Sequence, residues 1–183
     1  MKVLGLSGSL RAGSHNSKLL RAAGDLLPGE AELVEFDGLK LIPPFDEDDE
    51  HARPDEVQAL FDAIAESDAV LISTPEYNHS IPGQLKNALD WLSRPLAESP
   101  LRNKPAAVVG ASTGLFGAVW AQAEARKVLS AIGACVIDRE LPIGMADDAF
   151  HAHGALVDED LSLALAGILA ELHAETRDPA LVS

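Results

Sequence analysis

The chain has 183 residues, 47% hydrophobic and 23% charged, the balance of a folded protein with a substantial core. Its 14 Lys and Arg against 29 Asp and Glu leave a formal net charge of -15, a surface that repels nucleic-acid backbones and anionic lipid. One cysteine excludes an intrachain disulfide, and no stretch approaches the ~18 apolar residues of a membrane span, so a soluble cytoplasmic protein is expected.

From the amino terminus, Val3–Leu6 is a short apolar run that reads as a buried strand. The polar loop SGSLRAGSHNS (Ser7–Ser17) follows, then a helical pattern over Lys18–Leu27 stopped by Pro28-Gly29. Glu32–Phe36 alternates as a second strand near a sheet edge, and Asp46–Glu50 is an acidic run in a Pro-rich surface loop. Asp55–Ser67 places Val57, Leu60, Phe61 and Ile64 at helical spacing. Ala69–Ser73 (AVLIS) is the continuous apolar run of a strand covered on both faces. Pro82 opens a helix to Leu92, at the first position where proline is tolerated. Ala106–Gly110 is another buried-type strand, Gly117–Ile132 a helix capped by Gly133, Ala134–Ile137 a fifth strand and Glu159–Glu175 a last helix. No repeat or composition break interrupts the chain, so one domain over residues 1–183 is expected.

Strand and helix alternate throughout, which implies an α/β fold: a parallel sheet with helices on both faces. Five strands give a flavodoxin-like three-layer fold of order 2-1-3-4-5. In such sheets ligands sit beyond the carboxyl ends of the strands, near the point where the order reverses. Three loops should meet there: Ser7–Ser17, Thr74–Ile81 and Ala111–Gly117.

The first loop has the chemistry of an anion nest. Ser9, Ser14 and Ser17 carry hydroxyls, Asn16 an amide, and the following helix presents unpaired N–H groups in its first turn. Arg11 adds a forked cation suited to phosphate oxygens. Ser14 or Asn16 alone reads equally as a helix N-cap; the whole cluster points to phosphate. The GxxxxGK[ST] loop is absent, and Gly5, Gly8 and Gly13 have the wrong spacing for GxGxxG. The loop therefore indicates a mononucleotide phosphate held without a dedicated magnesium ion.

The second loop opens the stretch TPEYNHSIPGQLKNALDW, Thr74–Trp91. Two motifs, GSLRxxSxN on Gly8, Ser9, Leu10, Arg11, Ser14 and Asn16, and PEYNxSxPGxLKNAxDW from Pro75 through Trp91, carry a resemblance. The chain resembles the NADPH-dependent FMN reductases, flavodoxin-like flavoproteins that include quinone, azo-dye and chromate reductases. The resemblance implies a phosphate of FMN on Ser9, Arg11, Ser14, Asn16 and Ser17. It implies a flavin ring along Pro75, Glu76, Tyr77 and Asn78 and against Ser112, Thr113 and Gly114. It further implies NADPH as electron donor, with NADH possible, and a small-molecule acceptor: a quinone, an azo compound, a metal oxyanion or free flavin. By the same resemblance the protein is a homodimer or homotetramer whose partner helps wall the flavin, with the helix of Trp91 and Leu92 as a contact.

Elementary chemistry agrees with several of these roles. A backbone turn beginning with Pro75 is rigid at φ, and its amides suit the polar edge of a flat ring and favour negative charge there. Tyr77 offers apolar area and a hydroxyl, or serves as packing. Glu76 suits a salt bridge at a helix side. Hydride transfer needs no protein acid, so no catalytic side chain is expected; binding, orientation and electrostatics are the protein's share.

The third loop departs from the family pattern. Where GGxRAQ is usual, the chain has Gly117-Ala118-Val119-Trp120-Ala121-Gln122, with Trp120 in place of the arginine. That leaves the choice between NADPH and NADH open, and an indole there suits either a stacked substrate ring or an interface. His151-Ala152-His153 reads as a solvated pair rather than a metal site, and Cys135 as a small core residue. Two other functions remain compatible with the fold. One is a flavodoxin-type electron carrier binding a protein partner, which the acidity suits and the arginine in the phosphate loop does not. The other is a flavin-free domain on the same scaffold.

Overall fold

The computed structural model describes residues 1–177. Its centre is the pair of continuous apolar runs. Strand β3 (Ala69–Ser73) and strand β4 (Pro105–Ala111) are buried at every position, as strands covered on both faces must be. Strand β1 (Lys2–Ser7) pairs with β3 on one side and with β2 (Glu32–Glu35) on the other. The alternating exposure of β2 marks it as an edge. The order is β2-β1-β3-β4-β5, all parallel, as the strand count predicts.

The fifth strand differs from the expected Ala134–Ile137. It pairs with β4 only over Cys135–Val136 (β5), leaves the sheet through the exposed Asp138-Arg139-Glu140, and returns as β6 (Pro142–Ile143) farther along β4. Three charged residues in a row cannot lie in a covered strand without partners, so the chain bulges outward there. Cys135, expected in the core, is consequently only half-buried at this edge.

Helices cover both faces. On one, α2 (Asp55–Ala65), α3 (Gly83–Leu92) and α4 (Val119–Ile132) bury Leu60, Leu89 and Leu129 against the sheet. On the other, α1 (His15–Leu26) and α5 (Glu159–Glu175) bury Leu20, Leu165 and Leu169. Helix α4 starts two residues later than its apolar pattern suggests, because Gly117 (φ 57°) and Ala118 (φ 61°) are both left-handed. The acidic run 46–50 forms one tight turn, Glu47–Asp49, capped by the Asp46 carboxylate. Trp91 and Leu92 are 1% and 0% exposed, so these two side chains face the core of their own chain. The segment 43–45 folds over them: the Trp91 indole donates to the Pro43 carbonyl at 2.9 Å and meets Phe45 edge-on at 5.0 Å. Among the described residues no helix is long and apolar enough to cross a membrane.

Candidate functional site

Parallel pairing of Ser7 with Ser73 and of Ser73 with Val109 brings the carboxyl ends of β1, β3 and β4 side by side. The loops that leave them converge as expected. After β1 the loop runs so close to its neighbours that a Cβ on Gly8 would meet Thr74 Oγ1 at 3.0 Å and a Leu85 methyl at 3.1 Å, so any side chain there would have to displace them.

Ser14 is the N-cap of α1. Its Oγ accepts from the amides of Asn16 (3.1 Å) and Ser17 (3.2 Å), which leaves its own hydroxyl hydrogen for a ligand. The amides of Leu10, Arg11, Ala12 and Gly13 donate to no acceptor among the described residues. Free donors at a positive helix end are what a phosphate requires. Arg11 is exposed and arches over the loop, its guanidinium donating to the Gly13 carbonyl at 3.2 Å.

Asn16 has a structural role that its sequence position alone does not show. It is 2% exposed, and its amide bonds only to protein. Oδ1 accepts from Ser73 Oγ (2.9 Å) and the Ala111 amide (3.0 Å), while Nδ2 donates to the Ala111 carbonyl (2.9 Å). It braces the start of α1 against β3 and β4 at the base of the cleft.

In the second loop Tyr77 and Ser80 exchange both backbone hydrogen bonds (3.0 and 3.2 Å), closing a two-residue turn on Asn78 (φ 55°) and His79 (φ 61°). Two successive positive φ values are the signature of the tight turn that matches strand twist. Glu76 sets the direction of this hairpin. Its Oε2 accepts from the amides of Trp120 (3.1 Å) and Ala121 (3.2 Å), 44 and 45 positions along the chain. Ala118, at the cap position of α4, has no side-chain oxygen, so the Glu76 carboxylate caps that helix from outside. His79 Nδ1 lies 3.7 Å from the other oxygen.

The third loop is held from below. Ser112 donates to Ile143 and accepts from Ala146 through the backbone, and Met145 donates to Gly114. Gln122, fully buried, donates to the Gly117 carbonyl (3.0 Å) and accepts from the Leu141 amide (2.9 Å). At Gly117 a side chain would run into the backbone of Pro142 and Ile143.

These three loops enclose a cleft of about 120 Å³. Ser9, Arg11 and Ser14 border it from the first loop, Pro75, Glu76 and Tyr77 from the second, and Ser112 and Thr113 from the third, with Asn16 at its base. Ser17 borders a neighbouring cleft instead, and Asn78 and Gly114 border neither. His15, which the sequence reading passed over, also lines the cleft; its position directly after the cap serine was the available signal. Its Nε2 lies 3.0 Å from Asp147. At the mouth, where Glu76 accepts from its amide, Trp120 is half-exposed and meets His79 and Phe116 edge-on at 5.0 and 5.1 Å; Leu115 and Tyr77 are exposed as well.

Residues 1–148 match the NADPH-dependent FMN reductases. The chain belongs to that family. An NAD(P)H-dependent FMN reductase of Pseudomonas aeruginosa is 44% identical over 163 residues, covering 87% of this chain and 86% of that protein. A 2-hydroxy-1,4-benzoquinone reductase from a Burkholderia species is 35% identical over 97% of each chain. Among solved structures, the flavoenzyme NAD(P)H:(acceptor) oxidoreductase FerB of Paracoccus denitrificans superposes with a TM-score of 0.83, at 35% identity over 96% of each chain. As an FMN reductase of this family, the protein is an oxidoreductase with FMN and NAD(P)H as its cofactors. The donor chemistry around the cleft is compatible with a flavin mononucleotide: open amides and a capping hydroxyl on one side, and a stiff proline-led turn on the other.

Proposed function

We propose that the chain, acting in the cytoplasm as a single domain within a homodimer or homotetramer, passes two electrons by ping-pong exchange from NADPH or NADH to a small acceptor, a quinone in first place. Azo compounds, metal oxyanions and free flavin are the other candidate acceptors. FMN, when bound, would supply the two-electron redox chemistry between nicotinamide and acceptor. The protein's own groups bind and orient. The open amides of Leu10–Gly13, the Ser14 hydroxyl and Arg11 hold the phosphate, with Ser9 beside them and Asn16 bracing the loop from below. Pro75 and Tyr77 form the wall for the ring. The amides of Glu76 and Asn78, which donate to no acceptor among the described residues, face its polar edge and favour negative charge on it. Ser112 and Thr113 close the third side, with Gly114 in the same turn.

The observation that carries this reading is the convergence on one cleft of an amide-rich helix start and a wall fixed by both hairpin closure and Glu76. The apolar mouth suits a flat acceptor, and exposed rings of that size commonly mark a binding surface. The test is an absorption spectrum of protein incubated with FMN, desalted and mixed anaerobically with NADPH. A retained yellow band that bleaches and is restored by benzoquinone is expected. No retained flavin, or a retained band bleached by neither NADPH nor NADH, overturns the proposal.

A further inference from the structure

The loop that walls the flavin cleft has a second side. Between it and the end of β2 lies a separate cleft of about 270 Å³, to which Ser17 belongs. Ser9 and Arg11 border both clefts, so only the width of one loop separates them. Arg21, one turn along α1 from Ser17, and Lys40, in the turn Asp37–Leu41 after β2, line this second cleft, with the Glu35 and Asp37 carboxylates in the same wall.

The charge is the informative feature. The chain has roughly two acids for every Lys or Arg, yet here three cations meet two carboxylates. Arg21 and Lys40 are exposed, and neither reaches a carboxylate at ion-pair distance among the described residues. Unpaired cations beside a serine hydroxyl suit phosphate oxygens, and neighbouring carboxylates suit the vicinal hydroxyls of a ribose, which they accept as hydrogen bonds. The flavin phosphate has its own donors across the loop. The nicotinamide dinucleotide carries further phosphates on ribose, and the aromatic mouth of the flavin cleft offers them only rings and the Glu76 carboxylate.

We propose that the second cleft binds the adenosine-phosphate end of the nicotinamide dinucleotide, with phosphate on Arg21, Lys40 and Ser17 and ribose hydroxyls on Glu35 and Asp37. The proposal rests on the reductase reading for its ligand, while its test does not depend on turnover.

Calorimetric titration of ADP into the FMN-loaded protein reads the cleft directly, and the double variant R21Q/K40Q removes its two unpaired cations. Binding without loss of flavin is expected, weakened about tenfold in the variant, with the wild-type affinity falling as salt is raised. Steady-state rates should then show KM for the dinucleotide raised about tenfold while kcat and retained FMN stay as in wild type. Both side chains are exposed and without ion pairs, so an unchanged melting temperature accompanies these effects. Equal ADP affinity in wild type and variant, release of FMN by ADP, or inorganic phosphate binding as tightly as ADP overturns the proposal. If ADP binds through Arg21 and Lys40 but neither dinucleotide reduces the flavin, the cleft stands and the reductase reading falls.

Discussion

The loop after β1 and the loop after β3 border the same cleft and are stabilised in opposite ways. The first leaves its backbone donors open and is fixed from beneath by one buried side chain, Asn16, which ties it to two strands. The second is closed by the Tyr77–Ser80 pair, with the Glu76 and Asn78 amides still open, and is fixed from the side by the Glu76 carboxylate on α4. A phosphate gains from many donors that are otherwise unpaired, so its loop must be held by something other than its own amides. A flat ring gains from a surface that does not move, so its loop can be closed by a backbone pair of its own while two amides stay open. On the proposed reading, the pair positions two unlike halves of one ligand.

The largest effect that separates the loops should come from Asn16→Ala. It leaves Ser73 Oγ and both backbone groups of Ala111 without their partner in a buried site, at about 1–3 kcal/mol for such a loss. Thermal unfolding should shift down by several degrees, and the protein should fail to retain FMN on desalting. Retention at the wild-type level would mean that the first loop does not need its brace.

Next in size is a comparison of Ser14→Ala with Glu76→Ala. Each removes a cap, and each should cost about 1 kcal/mol of stability. Their ligand effects should diverge. Without Ser14 the affinity for FMN falls while that for riboflavin, which has no phosphate, is unchanged. Without Glu76 both affinities fall together, because the wall has lost its anchor. Fluorescence titration of the two flavins against both variants checks this, and parallel losses in Ser14→Ala would remove the division of labour between the loops.

Much of this was legible in the sequence because it is written locally. AVLIS and the run through Ala106–Gly110 are continuous apolar stretches, and the acidic start and apolar repeat of α5 give its limits as observed. The cap serine and the proline-led turn are also local signals. What was not legible depends on partners far along the chain. The bracing role of Asn16 cannot be read until Ala111 is placed against it, 95 positions away. Glu76 reads as a residue along the ring or a salt-bridge partner at a helix side, and which helix it serves appears only when α4 arrives with an uncapped end. The break between β5 and β6 follows from which charges the sheet edge can tolerate, and the burial of Trp91 from how segment 43–45 folds back.

The smallest effect concerns the tip of the second loop. His79 occupies a left-handed position with a φ of 61°, where a residue other than glycine carries about 1–2 kcal/mol of strain. His79→Gly relieves that strain but gives up about 0.5–1 kcal/mol to the freer unfolded chain. It also removes the edge contact with Trp120, worth at most about 1 kcal/mol. The imidazole is 78% exposed, so its contact with Glu76 adds little. The terms nearly cancel, and the melting temperature should move by no more than a degree or two. Flavin affinity should hold within a factor of about two, because the wall is the hairpin backbone closed by Tyr77 and Ser80, which glycine preserves. A tenfold loss of FMN at unchanged stability would instead assign the wall to the imidazole and its contact with Trp120, and the contrast between an open first loop and a self-closed second one would have to be redrawn around that side chain.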